Sequence, residues 1–139
     1  MTFAFLLPTP RFIYECGEYN GYVGFDDKLP LSYQGKAFET EDSELSLDDY
    51  IQVHGGITWD SENYRLTGDP IKLTEFPENW KDCRIIGFDT CHFGDDSVIW
   101  DKEAVTHETL RLKEQIDKLI KDGISNSLKV LDIWNWNLL

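Results

Sequence analysis

The stretch that decides the fold class is "DKEAVTHETLRLKEQIDKLIKDG", residues 101–123. Val105, Thr109, Leu112, Ile116, Leu119 and Ile120 recur at the 3.6-residue spacing that puts them on one stripe of a helix. Asp101 stands where an N-cap belongs, and Glu103 and Glu108 follow near the positive end of the helix dipole. Lys118 and Lys121 lie at the other end, and Gly123 is suited to stop the helix. This pattern predicts one long amphipathic helix over about residues 101–122, whose single apolar stripe needs a surface to cover.

The surrounding sequence supplies strands for that surface. Directly upstream, "IIGFDTCHFGDDSVIW" (85–100) begins as a buried strand and then collects Asp89, Cys91, His92, Asp95 and Asp96. The strand itself reads as Arg84 to Phe88. The opening "MTFAFLLPTPRF" has no basic n-region and its apolar part stops at Pro8, so it reads as a strand and not as a signal peptide. "EYNGYVGF" places Asn20-Gly21 between apolar runs, a hairpin signal, because both central residues of a type I′ turn need positive φ. Ser46 is placed to cap a single helical turn. After it, Tyr50, Gln52 and His54 alternate with Ile51 and Val53 as in a strand with two unlike faces. "WDSENYRL" suggests a turn and a strand, "TGDPIKLTEFPENW" a loop, and "SLKVLDIWNWNLL" a final strand. The resulting expectation is an α+β fold, a small antiparallel sheet with the long helix packed on one face, as a single domain over residues 1–139.

Composition narrows the function. The chain has 139 residues, 41% of them apolar and 14% aromatic, enough for one core. It lacks any run of about 18 apolar residues of the kind that spans a bilayer. With 26 acidic against 13 basic residues, the net charge is −13. That field opposes binding to nucleic-acid phosphates and to anionic membranes. Glu39, Glu41, Asp42, Glu44, Asp48 and Asp49 fall within residues 38–50 with no base among them. The segment reads either as a solubilising loop or as a surface that fits a basic groove on a partner protein. Of the five tryptophans only Trp80 has a basic residue beside it, Lys81, so they read as core or half-buried cover more than as a base-stacking surface.

The three cysteines, Cys16, Cys83 and Cys91, form no CxxC pair, which favours reduced thiols in a cytoplasm. His54 and His92, with Asp89 and a thiolate from Cys16 or Cys91, are the residue types that zinc takes in tetrahedral geometry. Alternatively, His92 with Asp89 or Asp95 orienting it forms a general acid–base pair, although no nucleophile with a signature accompanies them. A third reading makes His54 and Asp89 buried polar groups that fix loop geometry. The pair Gly55-Gly56, with Thr58, offers a backbone nest for an anionic ligand.

Taken together, "NGYV" (20–23), "HGGIT" (54–58) and "GFDT", His92 and "GD" (87–95) resemble a family of small proteins encoded by phages and prophages of Gram-positive bacteria. The helix "AVTHETLRLKEQI" resembles that family too. The resemblance implies a phage gene expressed in a bacterial host cytoplasm and carries no mechanism. Two function classes follow. One is an acidic binding inhibitor of a bacterial defence system, anti-CRISPR-like, docking on a basic protein surface such as that of a CRISPR effector. The other is a small-molecule protein, sponge or hydrolase, that holds a nucleotide or phosphometabolite with the His54-Gly55-Gly56 and Asp89–His92 loops.

Overall fold

The computed structural model describes residues 1–10, 16–33 and 45–132. Five strands, β1 (Thr2–Pro8), β2 (Tyr19–Phe25), β3 (Trp59–Asp60), β4 (Ile71–Lys72) and β5 (Arg84–Phe88), form one antiparallel sheet in the order β3-β5-β2-β1-β4. A single turn of helix, α1 (Leu47–Tyr50), and the long α2 (Lys102–Asp122) complete an α+β fold.

The expected helix is present. Asp101 accepts the Ala104 N–H at 2.9 Å as N-cap, and Gly123 ends the helix at φ +79°. Val105, Thr109, Leu112, Ile116 and Leu119 are buried. They pack with Ala4, Leu6, Val23, Phe25, Ile86 and Phe88 from the sheet. Each fully buried aliphatic side chain on this stripe contributes about 1.5–3 kcal/mol of transfer free energy. The opposite face is covered as well. Phe3, Phe5, Leu7, Tyr22 and Ile85 pack there against Trp59, Phe76 and Trp80. Because β1 is buried on both faces, its sequence is a continuous apolar run and not an alternation.

Four local readings are corrected. Asn20-Gly21 is not a turn: both residues lie inside β2, and no non-glycine residue described has positive φ. Gly21 serves a close approach instead, since a Cβ there would lie 2.0 Å from Thr109 Oγ1 and 2.5 Å from Phe88. The glycine lets α2 sit down on the sheet. Residues 51–53 keep the predicted alternation of buried and exposed side chains but form no strand. Their backbone pairs with helix side chains: Gln52 N–H donates to Gln115 Oε1 and His54 N–H to Glu108 Oε2, each at 2.8 Å. The strand expected after Trp59–Asp60 is absent, and the two-residue β4 lies in the stretch read as loop. Residues 130–132 take a helical turn and not a final strand, while residues 133–139 lie outside the described residues. Ser46 does cap α1, with a reciprocal bond between the Asp49 side chain and the Ser46 N–H.

Candidate functional site: a polar cluster beneath an exposed loop

β5 ends at Phe88, and from there the chain is held by side chain–backbone bonds. Asp89 N–H donates to Thr58 Oγ1 and Thr90 N–H to Asn20 Oδ1, both at 3.0 Å. The Thr90 hydroxyl, fully buried, donates to Tyr19 O at 2.8 Å. Asp89 Oδ1 accepts the Cys91 N–H, Asp95 Oδ2 the His92 N–H, and Asp96 Oδ1 the N–H groups of Val98 and Ile99. The segment leading into β2 wraps this loop. Gly17 N–H donates to Thr90 O, and Glu18 N–H donates to Trp100 O.

That wrapping also joins Cys16 to Cys91 in a disulfide, which corrects the expectation of reduced thiols. The two residues are 75 apart in sequence, and their pairing follows from the contact between the two segments. In this state neither sulfur is available as a thiolate ligand. Cys83 is free and buried.

The structure brings His54 and His92 together, with ring centroids 5.3 Å apart and the planes nearly perpendicular. The carboxylate between the two loops is Asp95, not Asp89. His54 Nε2 lies 2.9 Å from both Asp95 oxygens. Asp89 Oδ1 approaches His92 Nε2 to 3.0 Å but off the direction of a hydrogen bond. This is a close contact more than a directed acid–base pair. The Trp100 ring covers His54 at 4.1 Å. Gly55, at φ +69°, admits the His92 ring, since a Cβ there would stand 2.1 Å from Nε2. Burial alone would push the Glu108 carboxyl up. Hydrogen bonds from Arg111 and from the His54 N–H outweigh it and hold the group below its usual range.

The glycine loop engages its own chain. Gly56 N–H donates to Val53 O, and Ile57 N–H donates to Asp48 Oδ1 at 2.9 Å. Thr58 ties Asp89 and accepts the Tyr33 hydroxyl on its carbonyl. Of the acids read as partner-binding, Asp48 is therefore occupied by the glycine loop and Asp49 by the α1 cap, while Glu39, Glu41, Asp42 and Glu44 lie outside the described residues. A groove of about 360 Å³, lined in part by Tyr50, Gln115, Lys118 and Leu128, and another of about 330 Å³ beside Lys28, Glu62 and Arg84, both lie away from the motif loops.

The loop's outer surface is not legible in the sequence. Phe93 is fully exposed, and Val98 and Ile99 are 84% and 61% exposed. The available signal was "FGDDSVI" itself: three large apolar residues among turn-forming ones, which a periodicity search assigns to nothing. Among the described residues, no helix is long and apolar enough to cross a membrane. No protein-family model, no curated protein and no solved structure matches this chain.

Proposed function

We propose that this chain is a binding protein, an acidic inhibitor that docks on a basic surface of a bacterial protein through the loop of residues 91–100. The observation that carries this reading is the exposure of Phe93, Val98 and Ile99 on a loop tied down by a disulfide and by five backbone N–H groups that donate to the side chains of Asp89, Thr58, Asp95 and Asp96. Solvent-facing apolar groups on an ordered element suit the desolvated centre of an interface, where one aromatic anchor carries much of the binding energy. Order before binding reduces the entropy lost on docking. The −13 charge steers the chain towards a positive surface and repels nucleic acid from the same face. In the phage setting implied by the sequence resemblance, a basic nucleic-acid channel of a host defence nuclease such as a CRISPR effector fits both features.

The test compares the parent with Phe93→Ala/Val98→Ser as baits in a lysate of a Gram-positive host, across a salt series. Expected is a basic protein retained by the parent and released as salt rises. The variant should lose it while its melting temperature stays within about 2 °C of the parent's, as for a surface change. The captured protein should then bind less nucleic acid when the parent is added. If parent and variant retain the same proteins at every salt concentration, the loop is not the docking element.

A further inference from the structure

Two loops far apart in sequence, the 54–56 turn and the 91–100 loop, meet at His54, His92 and Asp95. Each side chain offers one donor atom, and the three atoms lie within 4.8 Å of one another. Two imidazoles and a carboxylate are a donor set that zinc takes when it keeps a fourth position open. Tetrahedral bonds of about 2.0–2.1 Å place neighbouring donors about 3.3 Å apart. His54 Nε2 is 2.9 Å from Asp95, slightly closer than that. The set as a whole reaches up to 4.8 Å, so side-chain rotations that close up to about 1.5 Å would draw the three donors round one ion near the His54–Asp95 hydrogen bond.

A His54–Asp95 pair alone would account for two of the three residues. It leaves His92 unexplained. Its Nε2 is buried and has no hydrogen-bond partner of good geometry among the described residues. Its neighbour is Asp89 Oδ1 at 3.0 Å, and a buried polar atom without a well-directed hydrogen bond costs stability. The chain nevertheless keeps the ring in place, with Gly55 at positive φ making room for this nitrogen. A ligand role for the nitrogen resolves that cost. The surroundings are those of oriented metal ligands: the backbone N–H groups of His54 and His92 are fixed by Glu108 and Asp95, Trp100 covers one ring, and the Asp89 carboxylate stands beside the other.

We propose that His54, His92 and Asp95 bind a divalent transition-metal ion, zinc by its donor set, which clamps the 54–56 turn to the 91–100 loop. This inference stands on the cluster's own geometry and is independent of the docking role proposed for the loop.

The test uses the full chain, stripped with a chelator, dialysed and titrated with cobalt(II) and then zinc. One equivalent of cobalt should develop visible d–d absorption, and zinc should abolish it. In nitrogen-detected NMR, zinc should shift one ring nitrogen of His54 and one of His92 and leave exposed His107 unchanged. His54→Gln and His92→Gln should each weaken binding at least 100-fold and Asp95→Asn at least 10-fold, with His107→Gln binding as the parent does. The NMR readout needs no variant, so a substitution that fails to fold leaves the test intact. Absence of saturable one-to-one binding by the parent overturns the proposal. So does a shift confined to His107, or parent-like affinity in the folded His54→Gln/His92→Gln double variant.

Discussion

The face of the sheet under α2 and the loop of residues 89–100 are both ordered, by different physics. On the helix face, order comes from area. Val105, Leu112 and Ile116 are fully removed from water against Leu6, Val23 and Ile86, and the backbone satisfies itself within helix and sheet. In the loop, little apolar area is gained beyond the half-buried Trp100, and Phe93, Val98 and Ile99 face solvent. Order there comes from direction: the carboxylates of Asp89, Asp95 and Asp96, the Thr58 hydroxyl and the Asn20 amide oxygen each take one or two backbone N–H groups, and one disulfide ties the loop to the segment before β2. An area-built region tolerates exchange among similar hydrophobes and loses stability when volume is removed. A direction-built region leaves its outward side chains free for another purpose.

The largest effect expected is on the helix face. Leu112→Ala leaves a cavity at a fully buried position and should cost about 2–5 kcal/mol, read as a lower urea midpoint with an unchanged slope. A cost under about 1 kcal/mol would mean that α2 does not carry the core. Next comes the disulfide. Cys16→Ser/Cys91→Ser removes a cross-link over a sequence separation of 75 and should cost roughly 2–4 kcal/mol, with dithiothreitol producing the same loss in the parent. A parent whose melting temperature ignores the reductant would show that the loop is held without it.

The smallest effect concerns Asp48, whose carboxyl burial pushes up, with the Ile57 N–H opposing and the Asp49 charge adding to the rise. A folded pKa above the unfolded value of 3.8 means this group's contribution to stability is complete below that value and is lost as pH rises through the folded pKa. Asp48→Asn keeps an oxygen for the Ile57 N–H and removes the buried charge. It should therefore be more stable than the parent at pH 7, by on the order of 0.5 kcal/mol for a partly solvated carboxylate. The gain should vanish below about pH 4, where the parent is protonated too. A variant less stable than the parent at pH 7 would reverse the sign of this argument.

Legibility in the sequence follows the same division. α2, its caps and its stripe were readable, as were β5 and the Ser46 cap, because each signal sits within one or two turns of chain. Where the cause lies elsewhere in the chain, local reading failed. Gly21 resembles a turn glycine, yet what requires it is Thr109. Residues 51–53 alternate like a strand, yet their backbone partners are Gln115 and Glu108. The sequence suggests a meeting of His54 with His92, with Asp89 as the metal carboxylate and Asp89 or Asp95 beside His92; the structure sets Asp95 against His54 and Asp89 beside His92. Gly94 at φ +88° turns the chain so that Asp95 returns to the His92 N–H, a backbone event that composition does not show. The Cys16–Cys91 pairing likewise depends on which segment wraps the loop, and spacing alone is silent on it.

The central claim is that the loop of residues 89–100 is held in one conformation before any partner arrives. Native-state amide hydrogen exchange on the free, oxidised protein tests it most directly. The account predicts that the amides of Asp89, Thr90, Cys91 and His92 exchange at least about 100-fold more slowly than an unstructured chain, since local opening must precede exchange. The amide of Phe93, for which no bond is described, serves as the fast internal reference. Exchange of all five at the unstructured rate would contradict the account, because a loop that frees its own backbone cannot present Phe93, Val98 and Ile99 as a fixed surface.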